Sequence, residues 1–122
     1  MIDILREIRQ HLINNDIVAA KQCKLNLVDN SNELVCLWLY GGYHAPVGSS
    51  KTVQIKVLNL DNVAAENLCK AIYAAIISEK PHRISTINNK KMKIVESQQP
   101  FFVEIDTQKR FVWAFNVTVT AF

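Results

Sequence analysis

The fold is decided by residues 34–77, which read LVCLWLYGGYHAPVGSSKTVQIKVLNLDNVAAENLCKAIYAAII. The run Leu34–Tyr40 is apolar throughout and breaks at Gly41-Gly42, and the alternation over Thr52–Val57 indicates a second strand. From about Asn62 the apolar residues recur at helical spacing until Pro81, which cannot continue a helix. We therefore predict a β-hairpin with a long glycine-containing connection, followed by a helix that Asp61 or Asn62 can cap.

The flanking sequence extends this unit into a single α+β domain over residues 1–122. One apolar side of residues 2–13 predicts an amphipathic helix that ends near Asn14. Short strands are predicted at Lys24–Val28, Met92–Val95 and Phe101–Ile105, with a polar loop over 82–91 and a turn over 106–109. The final strand, 111–120, alternates strictly and is long enough that we expect it to be paired on both sides. The order is α-β-β-β-α-β-β-β, with both helices on one face of a mainly antiparallel sheet.

Composition is that of an ordinary globular domain. The chain has 122 residues, of which 49% are hydrophobic and 20% charged, so it can build one core. A net charge of +3 permits contact with nucleic acid but does not argue for it. Cys23, Cys36 and Cys69 form no Cys-x-x-Cys pair, so we expect buried, reduced thiols of a cytosolic protein. No apolar run reaches the ~20 residues of a membrane span, and no signal peptide is expected.

No motif for catalysis or for a cofactor stands out. Gly48–Thr52 echoes a phosphate loop, but the lysine spacing is wrong and a strand follows instead of a helix. The three histidines lie on separate elements without acids or cysteines at ligand spacing. If Phe101, Val103 and Ile105 share one strand face, Glu104 and Asp106 share the other; such a pair could bind a cation, but is more typical of a solvated face or a subunit interface. We predict no enzyme activity, cofactor or metal.

The aromatic residues of the strands and the apolar run before Gly41 each leave two interpretations open. Trp38, Tyr40, Trp113 and Phe115 could stack on nucleic acid bases, but they occupy apolar strand positions, so core packing is the preferred interpretation. The run Val35–Tyr40 is apolar on both faces. Either a neighbouring subunit or a helix or loop of the same subunit covers the surplus.

The ordered pattern of the chain resembles the bacteriophage tail terminator family, also catalogued as minor capsid or tail completion proteins. The resemblance rests on the Tyr-Gly-Gly…Pro stretch, the Val53-Gln54-Ile55 strand before the helix, Pro100-Phe101-Phe102, Asp106 and Arg110-Phe111. It implies a homo-oligomeric ring, usually a hexamer, that binds the tail tube protein, stops tube polymerisation and offers a surface to the head–tail connector protein. DNA would pass through the lumen without sequence recognition. The resemblance places the protein in the virion, at the head–tail junction of the tail, after assembly in the bacterial host cytoplasm by a phage or prophage.

The interface residues of such a ring are predicted from two polar or glycine-containing stretches that we expect to be loops. The first of these stretches is preferred because long loops are uncommon without function. The candidates are Tyr40, Gly41, Gly42, Tyr43, His44 and Pro46 in the first stretch, and Arg83, Lys90 and Lys91 in the second.

Two other functions stay open. One is a phage head completion or neck protein, and the other is a small cytosolic α+β module that binds a ligand or RNA through its sheet.

Overall fold

The computed structural model describes residues 4–44, 49–77, 85–87 and 90–121. The predicted α+β class and the predicted order of elements are confirmed, although several strands differ from the prediction in their bounds. In chain order the described elements are α1 (Ile4–Asn14), a short 3₁₀ helix (Ala20–Gln22), β1 (Cys23–Leu25), β2 (Glu33–His44), β3 (Ser49–Asn59), α2 (Asn62–Ile76), β4 (Ser85–Ile87), β5 (Lys90–Ile105) and β6 (Phe111–Ala121).

The strands form one sheet in the order β1-β2-β3-β6-β5-β4. Among the described strands, only the β1–β2 pair is parallel, and the other neighbouring pairs are antiparallel. The alternating final strand β6 is central, with β3 on one side and β5 on the other, as its length predicted. The two outer strands, β1 and β4, are three residues long and cover only part of β2 and β5.

The core lies between the two helices and one face of the sheet, which we call the helix face. Ile55 of β3 pairs with Phe115 of β6, and Val53 pairs with Val117; all four side chains point to this face and are fully buried. The opposite side of the sheet is called the open face. The helices contribute their apolar stripes to the same cluster, namely Ile4, Leu5, Ile8 and Leu12 of α1, and Ala65, Cys69, Ile72 and Ile76 of α2.

Side-chain hydrogen bonds fix the start of α2 and hold α1 against the sheet. Asp61 caps α2, since its Oδ1 accepts hydrogen bonds from the amides of Val63 (2.9 Å) and Ala64 (3.4 Å). α1 is tied to the sheet edge by Arg9, whose guanidinium donates to the carbonyls of Cys23 (3.0 Å) and Ala20 (2.8 Å). The predicted helices are therefore confirmed, together with the predicted cap at Asp61.

The predicted long glycine loop is wrong, because β2 continues through the glycines to His44. The register with β3 shifts between Tyr40 and Gly42, which marks a bulge in β2. An irregularity of this kind absorbs glycine inside a strand, so Gly41-Gly42 does not end the pairing. The β2–β3 connection is residues 45–48, which lie outside the described part of the chain.

The predicted polar loop over 82–91 and the two short strands after it are also corrected. Ser85–Ile87 forms β4, and Lys90 and Lys91 open β5, which absorbs both predicted strands into one. Register shifts in β5 change which side chains share a face: Phe101 pairs with Ala114 on the open face. Phe102 and Ile105, paired with Trp113 and Phe111, lie on the helix face, so Phe101 and Ile105 do not share a face as predicted.

The three cysteines are buried free thiols, as predicted. Burial disfavours the thiolate and raises the pKa of Cys23 to about 11 and that of Cys69 to about 12. The pKa of Cys36 is raised for the same reason. Thiols of this kind react slowly with electrophiles, because the thiolate is the reactive species.

Candidate interaction surfaces

A crossover segment, residues 26–32, connects the parallel strands β1 and β2 without a helix. Parallel neighbours usually need a dozen or more residues for their connection. Asn26 makes the turn out of β1 at a positive φ of 53°, and its amide donates to the Leu37 carbonyl at 2.9 Å. Its side-chain Oδ1 accepts from the amide of Leu39 at 3.0 Å. The segment thus turns back at once and caps part of the outer edge of β2.

Arg110 holds the crossover segment onto the open face. Its Nη1 donates to the carbonyls of Asp29 (2.7 Å) and Ser31 (2.9 Å), and its Nε donates to Asp106 Oδ2 at 2.8 Å. Arg110 stands just before β6, three strands from β1, so the segment crosses the end of the sheet to reach it. Gln108 adds a further hydrogen bond from its Nε2 to Asn30 Oδ1 at 2.7 Å. Arg110 is only 4% exposed, which makes it a buried cation with three acceptors.

The apolar surplus of β2 at Leu34, Val35 and Leu37 is buried within the subunit. Leu34, Leu58 and Val112 form one row on the open face and are buried in a small second cluster. Val35 and Leu37, on the other side of β2, lie under the helices in the main core. Of the two alternatives, cover within the same subunit is therefore correct for these residues.

The carboxylate of Asp106 closes the β5–β6 turn and anchors Arg110. It accepts hydrogen bonds from the amides of Gln108 (3.0 Å) and Arg110 (2.9 Å) as well as from the guanidinium. Partial burial alone would raise the pKa of Asp106, but the hydrogen bonds and the positive charge of Arg110 outweigh it and hold the pKa below its ordinary value of 3.8. The predicted pairing of Asp106 with Glu104 on one surface is therefore wrong, because Asp106 belongs to the turn.

We expect this carboxylate to make stability fall at acid pH. The pKa of Asp106 is lower in the folded chain than in the unfolded chain. Its contribution to stability is therefore complete above the pKa of the unfolded chain and is lost as the pH falls through the pKa of the folded chain. The Asp106→Asn variant should be less stable than the wild type at about pH 6 by urea unfolding, and the difference should shrink towards about pH 2.5. Asp16→Asn, at an exposed position after α1, is the control. A wild-type advantage that stays constant over this range would contradict the assignment.

The middle of the open face carries a row of amides and one indole. Trp38, Gln54, Asn116 and Gln98 follow one another across four strands, and Asn116 Nδ2 donates to Gln98 Oε1 at 2.8 Å. The indole Nε1 of Trp38 and Oδ1 of Asn116 have no hydrogen-bond partner among the described residues. The predicted core packing is confirmed for Phe115 and wrong for Trp38, which is half-buried and lies on the open face.

An exposed aromatic corner lies on the helix face, where α2 begins. The ring of Phe102 contacts those of Trp113 (centroids 5.9 Å apart) and Phe111 (6.5 Å). Trp113 Nε1 donates to Asn62 Oδ1 at 2.9 Å, which fixes the corner against the first turn of α2. Phe102 and Ile105 are 47% and 53% exposed, so this part of the helix face is left uncovered by the helices.

Two stretches of strand edge lack a strand partner in the described part of the chain. β4 pairs with β5 only at Lys90–Met92, so β5 is bare on its outer side from Lys93 to Ile105; we call this the β5 edge. β1 pairs with β2 only at Val35–Leu37, and Asn26 satisfies the amide of Leu39. The stretch Tyr40–His44 is then bare as well, and we call it the β2 edge. Unpaired edges of this kind are templates for pairing with another chain.

The predicted interface residues are brought to one end of the sheet. Tyr40, Gly41, Gly42, Tyr43 and His44 form the β2 edge, and His44 lies in one row with Met92 of β5 through Ser49 and Ala121. Lys90 and Lys91 are next to Met92, so both groups stand at this end with β3 and β6 between them. Pro46 and Arg83 lie outside the described residues. Sequence reasoning missed the β5 edge. Its available signal was Pro100, which cannot donate a hydrogen bond to a neighbouring strand and is typical of edge strands.

The described residues contain no group of three or more histidine, cysteine or acidic side chains that could hold a metal ion. No helix in that part of the chain is both long and apolar enough to cross a membrane.

Comparison with known proteins gives a match of fold but not of sequence. No protein-family model matches the chain, and no curated protein is significantly similar in sequence. A chain from the virion of a native gene transfer agent particle superposes with a TM-score of 0.62 at 8% identity, covering 97% of this chain and 93% of that one. At this identity the likeness establishes a shared fold over nearly the whole of both chains.

Proposed function

We propose that the protein is a structural component of a phage-type virion that forms a ring on the end of the tail tube, stops tube polymerisation and offers the surface to which the head joins. The observation that carries this proposal is the fold shared, over nearly its full length, with a chain of a gene transfer agent virion. The sequence resemblance to tail terminators points the same way from independent features, namely the Tyr40–Pro46 and Pro100–Phe111 patterns.

The two edges of the sheet support assembly by contact with other protein chains. Among the described residues, Tyr40–His44 has no strand partner on its outer side at one edge of the sheet, and Lys93–Ile105 has none at the other. A subunit with different patches on opposite sides makes heterologous contacts, which is what a ring requires. The predicted partners are other copies of the chain, the tail tube protein and the head–tail connector protein, with DNA passing through the lumen.

We expect Tyr43→Ala combined with His44→Ala to leave folding intact and to impair tail completion. Both residues lie at the end of β2, in the predicted interface stretch. Phage or prophage particles carrying the double variant should have tails of abnormal length when examined by negative-stain microscopy. Glu66→Ala with Lys70→Ala, which removes an exposed ion pair on α2, is the matched control. Tails of normal length from the first double variant would remove the β2 edge from the interface.

A head completion or neck protein is the rival within the same kind of particle. Copurification from infected or induced cells separates the two. Association with the tail tube protein supports the proposed role, whereas association with capsids and portals in the absence of tail tubes would overturn it.

A further inference from the structure

We propose that the protein joins the head through an apolar patch at the end of the sheet where α2 begins, and that the head–tail connector protein fills this patch with an apolar segment that carries lysine or arginine. The patch, called the corner patch, comprises Leu60, Val63, Phe102 and Ile105. This inference rests on the proposed function for the existence of the two partners, and it adds the surface and the chemistry of the contact with the head.

The four side chains of the corner patch are large, apolar and exposed. Leu60 and Val63 are 47% and 62% exposed, which puts them in the same class as Phe102 and Ile105. Exposed apolar side chains that are scattered singly need no explanation, because every folded surface has them. A contiguous group of them marks a surface that another molecule covers.

The aromatic corner joins the four side chains into one patch. The ring of Phe102 contacts the rings of Trp113 and Phe111, and Ile105 pairs with Phe111. The two members beside α2 stand two residues before and one residue after Asn62, whose side chain accepts the hydrogen bond of the Trp113 indole. The patch is therefore held on the ends of a strand and a helix, and aromatic anchors of this kind carry much of the energy of protein interfaces.

Acidic residues flank the corner patch. Residues 60–66 and 102–105 contain three acidic residues and no lysine or arginine, the acidic ones being Asp61, Glu66 and Glu104. Lys70 pairs with Glu66 at 2.6 Å, which offsets one of these charges and leaves the other two. A negative potential disfavours DNA and favours a protein segment with basic side chains.

The opposite end of the sheet is basic. The described residues 40–44, 49–52 and 90–95 contain four lysines and no acidic residue, the lysines being Lys51, Lys90, Lys91 and Lys93. A protein that caps a tube turns one end to the tube and the other to the head, so two ends of opposite charge suit two different partners. Tyr40–His44, the stretch in which we expect substitutions to change tail length, lies at the basic end. The corner patch is thus left for the head.

Joining of heads to tails in vitro tests this assignment. Tails that carry the Ile105→Lys variant are purified from cells that make no heads and mixed with DNA-filled heads from cells that make no tails, and the infectious particles are counted. Lysine removes an apolar contact and meets the positive charge of the partner, so joining should fall about hundredfold. Ile105→Glu removes only the apolar contact and should lower joining about tenfold. Whole tails are used because a ring presents the patch in several copies, so that weak contacts add.

A second position guards against an effect of folding alone. Val63→Lys and Val63→Glu repeat the comparison on α2, and lysine should again lower joining more than glutamate. Val95→Lys is the matched control, because Val95 is an exposed apolar residue of the same strand as Ile105 and lies away from the patch. It should change joining by less than about twofold. All of these variants should give tails of normal length.

The outcomes separate this inference from the proposed function. Wild-type joining by the Ile105→Lys and Val63→Lys tails would overturn the inference and leave the capping role intact. Tails of abnormal length from these variants would place the corner patch against the tube, and loss of ring assembly would assign it to a second copy of the chain; either result overturns the inference. Equal losses with lysine and glutamate would overturn the basic character assigned to the partner. Tails of normal length in particles that lack the protein altogether would overturn the proposed function and this inference with it.

Discussion

The Arg110→Met variant should lose about 3–5 kcal/mol of unfolding free energy, which is a large part of the stability of a small domain. Arg110 is 4% exposed and donates to Asp106 and to two carbonyls of the crossover segment. Methionine fills a similar volume but donates nothing. It leaves Asp106 Oδ2 and both carbonyls without the guanidinium donor. Removing one partner of a buried ion pair costs far more than the pair contributes.

Chemical denaturation monitored by tryptophan fluorescence measures this loss. Lys109→Met is the matched control, since Lys109 is the exposed neighbour of Arg110 in the same turn and should change stability by less than about 0.5 kcal/mol. The crossover segment should also exchange its amide hydrogens faster in Arg110→Met. A loss no larger than that of the control would mean that Arg110 does not hold this segment.

The second large effect is expected for Phe115→Ala, at about 3–5 kcal/mol. Phe115 is fully buried in the central strand, opposite Ile55, and its ring makes an edge contact with Tyr73 of α2 at a centroid distance of 5.3 Å. Truncation leaves a cavity at the centre of the helix face, where α2 and two strands meet. The cost is therefore the lost transfer free energy plus that of the cavity.

Phe102→Ala is the matched control, and it should behave differently. Phe102 is 47% exposed and its ring contacts those of Trp113 and Phe111, so its truncation should cost about 1 kcal/mol in the free protein. Equal losses of unfolding free energy in the two variants would contradict the placement of Phe115 in the core on the helix face.

Sequence reasoning predicted the elements whose signals are local. The spacing of Cys69, Ile72 and Ile76 with the cap at Asp61 determined α2, and the alternation around Val53 and Phe115 determined β3 and β6. These patterns are dictated by one buried face, which the printed sequence shows directly.

The features that sequence reasoning missed depend on contacts between distant residues. Arg110 was visible only as part of a family pattern, since its acceptors Asp29 and Ser31 stand 81 and 79 residues away. Glycines at 41–42 and Pro100 indicated breaks, yet bulges and an unpaired strand edge accommodate them within β2 and β5. The interface residues could be proposed from the Tyr40–His44 stretch, but the β5 edge could be located only with the strand order of the sheet.

Electron microscopy of the protein mixed with growing tail tubes tests most directly whether this chain works by fitting against copies of itself and the end of a tube. We expect a protein that is monomeric or weakly associated alone, closed rings of it at tube ends, and tubes that stop lengthening once the rings are bound. Tubes that continue to lengthen in the presence of a protein that stays monomeric and unbound would contradict the account.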